Sequence, residues 1–388
     1  MEPNTLTYLS FMIAVALLAG KVVKMLHLPN VTGYLVVGII VGPYGTGLIS
    51  ADVVDQFRTF ISDVALGFIA FSIGEEFSIK YLKKIGKSPI VIAIFEALTA
   101  TLLVDITFIL YGCDITLALA IGSIASATAA ASTLMIVKQY KASGPVTNTL
   151  LPVVAIDDAV ALIAFGISIS MAKVIGSGDF SIITLLDPLK EIFGGIIFGA
   201  ILGFLQVLLV KWYTGRGNRL ALTIALVCFC VGGSNMFGFS SLLACMMMSA
   251  IFTNFSGYTE KIFEPLDRTT PPIYMLFFVI SGASLDITII PKVGVMGILY
   301  IVVRVLGKVL GAYVGARLSH AEPVVQKYLG FTLVPQEGVA IGLVTVAMNA
   351  IPKYANTIHT VVLCGIVVYE LIGPLITKFA LKAAKEIQ

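Results

Sequence analysis

Along the chain, thirteen long apolar runs alternate with short polar turns, many of them marked by glycine or proline. A helix that crosses a bilayer needs about 20 mostly apolar residues, and lipid tolerates no unpaired backbone, so each run is predicted to be one transmembrane α-helix. The predicted spans are 6–27, 31–50, 57–79, 88–112, 114–139, 145–174, 187–213, 217–235, 238–256, 266–287, 292–318, 324–350 and 354–380. The expected fold class is thus an all-α polytopic membrane protein. Only Glu2 and polar residues precede the first run, with no basic segment, which predicts a retained helix and not a cleaved signal peptide.

Composition agrees with that pattern. Apolar residues make up 58% of the 388 residues, charged ones 12%, and the mean hydropathy is +1.00, far from the norm of soluble domains. A net charge of +3 is too small to indicate a nucleic-acid partner. With no glycine-rich phosphate loop and no metal-spaced Cys/His cluster, no cofactor and no nucleotide-binding domain are expected. The five cysteines, Cys113, Cys228, Cys230, Cys245 and Cys364, sit in apolar runs and are read as small buried thiols. Lys and Arg concentrate on cytoplasmic loops. Of the 25 such residues, 18 fall after odd-numbered runs or in the C-terminal segment, five after even-numbered runs, and two inside the eleventh. That asymmetry predicts an outside N-terminus and a cytoplasmic C-terminus.

Sliding the chain along itself by 208 residues superposes Gly74 on Gly282, Lys84 on Lys292, Gly86 on Gly294 and Gly122 on Gly330, and sets NTLLPVV over NTIHTVV. Several matches in one ungapped register predict that helices 1–6 correspond to helices 8–13, with helix 7 as a linker. The displacement is seven helices, an odd number, so the second copy is expected upside down. Inverted-topology repeats are the architecture of alternating-access carriers, whose site lies near the midplane where the repeats meet.

The sixth run contains VVAIDDAV. Asp157 and Asp158 lie about thirteen residues from its start, roughly 20 Å along a helix and close to the membrane centre. A central aspartate costs about 2.5 to 3.5 kcal/mol on insertion scales, so such residues face a polar cavity and serve a function. Lys308, midway along the eleventh run, is the available counter-charge. Its neighbour Arg304 cannot usefully release a proton and is the candidate for a fixed structural charge. Glu96 occupies the position equivalent to Arg304 in the 208-residue register, and an Arg304–Glu96 pair is expected.

Two runs carry signs of broken helices. Small and hydroxyl residues fill GSIASATAAASTL at 122–134, and in LVPQEGVAIG at 333–342 a proline precedes Gln336, Glu337 and Gly338. Proline frees a carbonyl one turn earlier, and small residues allow two chains to cross closely. Unwound segments of this kind offer hydroxyls and carbonyls to an ion. Thr128 and Ser126 are the candidate hydroxyl ligands.

These stretches, with GYLVVGIIVGPYG, GFIAFSIGEEFSI, AIDDAVAL, FFVISGASLDI and LGKVLGAYVGA, resemble the monovalent cation:proton antiporter superfamily. The resemblance is to its electrogenic branch, which includes bacterial sodium/proton and potassium-efflux antiporters. It implies that Asp158 binds the ion, that Asp157 salt-bridges Lys308, and that Thr128 stands where two crossed discontinuous helices meet. It also implies a homodimer in the lipid bilayer, with scaffold helices at 1–87 and 217–290, a linker helix at 187–213, and a moving core at 88–180 and 291–388. Gln336 stands where some sodium-selective members have a basic residue. Glu337 and Gln336 are regulatory or structural candidates.

The expected activity is exchange of Na⁺, or of K⁺ or Li⁺, for H⁺ by an elevator-type alternating-access motion. A hard cation wants oxygen ligands that only ionised carboxylates supply, so protons and cations exclude one another at one site. Release of a proton by Lys308 when the cation frees Asp157 would move two protons per cation. The alternative is a K⁺/H⁺ antiporter of the potassium-efflux type, and a more distant one a sodium-coupled organic anion symporter on the same fold. An intramembrane aspartyl protease would need a second aspartate on another helix, and none is expected inside a span. A channel would show unblocked conductance with no proton coupling.

Overall fold

The structure, a computed structural model, describes residues 4–26, 29–75, 77–79, 86–177, 182–286, 294–336 and 339–387. Among them are sixteen α-helices: α1 (Thr5–Met25), α2 (Asn30–Val41), α3 (Ala51–Gly74), α4 (Ser88–Leu110), α5 (Ile115–Ala125), α6 (Ala130–Tyr140), α7 (Pro145–Ser177), α8 (Ile182–Trp212), α9 (Arg216–Phe237), α10 (Ser241–Phe255), α11 (Thr259–Thr269), α12 (Pro271–Ser284), α13 (Gly294–Leu318), α14 (Pro323–Thr332), α15 (Val339–Ala350) and α16 (Ala355–Ala383). Among the described residues every regular element is helical, as the lengths of the apolar runs require. Nine stretches among the described residues are long and apolar enough to cross a membrane, and shorter apolar helices accompany them.

Helix starts follow local chemistry. The Asn4 side chain accepts from Thr7 N at the head of α1, Asp114 from Thr116 N at α5, and Ser240 from Leu243 N at α10. Each satisfies a backbone donor that the first turn leaves free. Prolines open α12 and α14, where a missing N–H costs nothing.

Two segments and one residue differ from the sequence expectation. The second run ends as a helix at Val41, because Gly42 and Pro43 follow, and not at residue 50. The tenth run is two helices: the polar, amphipathic α11 precedes α12, and Pro271 and Pro272 mark the start of the second. An aspartate missed as intramembrane, Asp105, lies buried inside α4. Glu337 and Gly338 lie outside the described residues.

The chain divides into two compact units, one formed by 1–84 with 190–285 and the other by 85–189 with 286–388. In the first unit, Gly38 of α2 and Gly42, just past its end, back directly onto Val279, Gly282 and Ala283 of α12, leaving no room for a Cβ. Leu17, Leu18 and Val22 of α1 and Ile197, Ile201 and Leu208 of α8 are exposed, the surface expected to face lipid chains. Lipid is as apolar as leucine, so helix association here depends on close packing.

The second unit has the same logic. α13 and α4 run antiparallel in close contact, with Gly307 on Ala100, Gly311 on Glu96 and Gly315 on Ile92. Spacing of four on both helices lets the backbones meet along one seam. Beside it, Ile92, Ile136, Val146, Leu150, Val153, Val154, Ala312, Leu329 and Leu381 form one buried apolar cluster. That cluster holds the turns of α7 just before Asp157.

Candidate functional site

Two helices break inside the second unit, and the breaks touch. Residues 126–129 separate α5 from α6, and residues 334–336 follow α14. Ala129 N donates to Pro335 O at 2.9 Å, and Gln336 Nε2 donates to Ile124 O at 2.8 Å. Each unwound strand leaves carbonyls without a helical partner, and a low-dielectric interior makes such orphans expensive.

Arg304 answers that need. Its Nε donates to Ala125 O at 3.0 Å, and its terminal nitrogens to Val334 O at 2.8 Å and Ala127 O at 2.6 Å. One planar fork therefore ties both breaks together, a task a lysine could not perform. The guanidinium lies 4.5 Å over the ring of Tyr369, whose hydroxyl donates to Ile301 O at 2.9 Å. Tyr300, one turn before Arg304, donates to Gln336 Oε1 at 3.1 Å. Sequence reasoning missed both tyrosines, although Tyr300, Arg304 and Lys308 at spacings of four already share one helical face.

Lys308 is the hub of the charged cluster. Its ammonium lies 2.7 Å from Glu96 Oε2 and 3.2 Å from Asp157 Oδ2. It also donates to Thr128 Oγ1 at 2.7 Å and to the backbone carbonyl of Ser126. Glu96, Asp157, Arg304 and Lys308 have no solvent exposure at all. The expected Arg304–Glu96 pair is absent, because Arg304 is consumed by carbonyls while the glycine seam brings Glu96 under Lys308.

The remaining candidates fall into place around this hub. Ser126 turns its hydroxyl to Ser123 O at 2.8 Å, so its carbonyl is what it offers the site. Asp158 is 4% exposed, and its Oδ1, like Asp157 Oδ1, is buried and accepts no hydrogen bond. With every group ionised, three carboxylates face two cations, a formal charge of −1 inside a membrane protein. A monovalent cation, or protons on the aspartates, would offset it, and the orphaned aspartate oxygens are hard donors suited to either.

Comparison with known proteins gives a consistent pattern. A sequence model of the family described as "Sodium/hydrogen exchanger, transmembrane" matches residues 12–383. A probable Na⁺/H⁺ antiporter, GerT of Bacillus cereus, is 24% identical over 87% of each chain. The ammonium/H⁺ antiporter subunit AmhT of Alkalihalophilus pseudofirmus is 22% identical, over 95% of this chain and 93% of its own. Among solved structures, the sodium proton antiporter MjNhaP1 of Methanocaldococcus jannaschii at pH 8 superposes with a TM-score of 0.71 at 20% identity, covering 98% of this chain and 95% of its own.

Proposed function

Because the chain belongs to the sodium/hydrogen exchanger transmembrane family, we propose that it exchanges Na⁺ for protons at the Asp157–Asp158 pair. The protein is a membrane transporter of the monovalent cation:proton antiporter superfamily and not an enzyme. The observation that carries the site assignment is Asp158 itself: a carboxylate buried in the membrane-spanning unit with an oxygen that accepts no hydrogen bond, adjacent to an aspartate already held by Lys308.

Proton and cation compete for the same oxygens. Protonated, the pair offers no charge to a metal ion; ionised, it binds one. The empty and fully ionised unit crosses poorly, since unneutralised carboxylates would pass an apolar barrier. Coupling follows from that obligation. The pair holds one cation, whereas each of its two carboxylates can take a proton, so exchange is electrogenic, with more protons than cations per cycle, and each net charge moved is worth about 2.3 kcal/mol per 100 mV of membrane potential.

In this reading the second unit is the moving core and the first is the scaffold of a homodimer. Exchange proceeds by elevator-type alternating access in the plasma membrane, with the N-terminus outside and the C-terminus cytoplasmic. An inverted repeat is supported by reciprocal packing in the 208-residue register. Gly122 of α5 backs onto Thr101 of α4, and its counterpart Gly330 of α14 backs onto Val309 of α13, the counterpart of Thr101.

The test is reconstitution in liposomes under an imposed pH gradient, adding Na⁺, K⁺ and Li⁺ in turn. Wild type dissipates the gradient with Na⁺, and Asp158→Asn with none. A reversal potential matching one-for-one exchange would remove the electrogenic part, and a response to K⁺ alone would move the protein to the potassium-efflux type.

A further inference from the structure

Lys308 has two carboxylate partners, and the nearer one is not an aspartate of the pair. Glu96 Oε2 lies 2.7 Å from Lys308 Nζ, against 3.2 Å for Asp157 Oδ2. The placement is forced by the backbone. A Cβ on Gly311 would sit 2.6 Å from the Cα of Glu96, so α13 and α4 are in contact at the turn that presents both side chains. The charged groups acting on Glu96 are Lys308 from α13 and Asp157 from α7. Arg304, one turn away on α13, directs its guanidinium to carbonyls.

We propose that Glu96 is the retaining counter-ion of Lys308: when a cation occupies Asp157 and Asp158, the ammonium gives up Asp157 and stays charged against Glu96. The inference rests on the exchange proposed above and deepens it. A buried ammonium deprived of its only partner would have to discharge, because an unpaired charge in a dry interior is unsustainable. Two partners within one ammonium's reach remove that need. The lysine also keeps Thr128 Oγ1 and the Ser126 carbonyl, so the break between α5 and α6 remains tied to it. Lys308 then acts as a fixed charge, and the charge moved per cycle is set by the aspartates. Glu96 touches no transported ion; it is a positioning residue that releases Asp157 for the cation.

The test separates this role from a purely structural one. In Glu96→Gln, Lys308 has only Asp157 to hold, so the cation must displace it. Half-saturation for Na⁺ is expected to rise by about tenfold, the scale of a buried pairwise coupling, with the rate at saturating Na⁺ changed far less. Glu96→Asp should recover most of the affinity. Na⁺-dependent thermal stabilisation of purified protein reads the same shift without turnover, so a failure of transport and a failure of this inference give different results. Unchanged half-saturation in Glu96→Gln, or a lost rate at normal half-saturation, overturns the proposal. A second variant serves should Glu96→Gln not fold. Arginine does not release its proton at working pH, so Lys308→Arg should show the wild-type reversal potential, at whatever rate. A shift to one-for-one exchange would make Lys308 a proton carrier and exclude the retained charge.

Discussion

Glu386 closes the head of α7 by capping Thr147. Its carboxylate accepts from Thr147 N at 2.7 Å, from Thr147 Oγ1 at 2.6 Å and from Val146 N at 2.5 Å, while Ser143 N donates to its carbonyl at 3.1 Å. α7 carries Asp157 and Asp158, so a residue just past the end of α16 satisfies the first turn of the helix that bears the proposed ion-binding pair. A carboxylate at a helix N-terminus is favoured both by the free N–H groups and by the macrodipole.

Replacing Glu386 by alanine is expected to cost about 1 to 2 kcal/mol and to lower the thermal midpoint of the purified protein. Glu386→Gln, which keeps an acceptor without the charge, should fall between the two. An unchanged midpoint in Glu386→Ala would show that the cap contributes nothing.

Gly311→Ala tests the seam between α4 and α13. Even one methyl group would lie 2.5 Å from Phe95 O and 2.6 Å from Glu96 Cα, and overpacking of this kind costs about 1 to 3 kcal/mol. Moving α13 outward also pulls Lys308 from Glu96, so transport should fall along with stability. Gly217→Ala is the control, since nothing lies within 4 Å of a Cβ there; both midpoint and transport should remain at the wild-type value.

Arg304→Gln leaves the carbonyls of Ala125, Ala127 and Val334 without their shared donor. Unsatisfied buried acceptors cost about 1 to 3 kcal/mol each, so this variant should be the least stable of the set. Arg304→Lys retains the charge but not the fork and should recover only part of the loss. Equal midpoints for Arg304→Lys and wild type would mean that the charge alone matters.

Competition at one site fixes the sign of the pH dependence. Protons occupy the aspartates as pH falls, so half-saturation for Na⁺ should rise by about tenfold per unit of acidification where a single proton competes. Rates measured at saturating Na⁺ should be far less sensitive over the same range. Half-saturation that stays constant with pH would rule out shared oxygens.

Much of this protein is written in its linear order. Apolar run lengths dictate helices because lipid leaves the backbone no other way to satisfy itself. The tandem Asp157 and Asp158 and the lone Lys308 stand out because a charge inside such runs is too costly to be incidental. The breaks near Thr128 and Pro335 are legible from proline and small-residue chemistry, which acts within a turn of the chain. Asp105 was equally visible in LLVDITF and was overlooked. Pairing was another matter. Equivalence by register suggested Glu96 for Arg304, yet the contact goes to Lys308, because which residues meet depends on the depth and register at which α13 settles against α4. The cap by Glu386 joins residues separated by 239 positions, and the fork of Arg304 spans both breaks. Local sequence carries the energetic reasons for a helix, a break or a buried charge; partners are chosen by close packing among distant segments, and that choice exists only once the chain has folded.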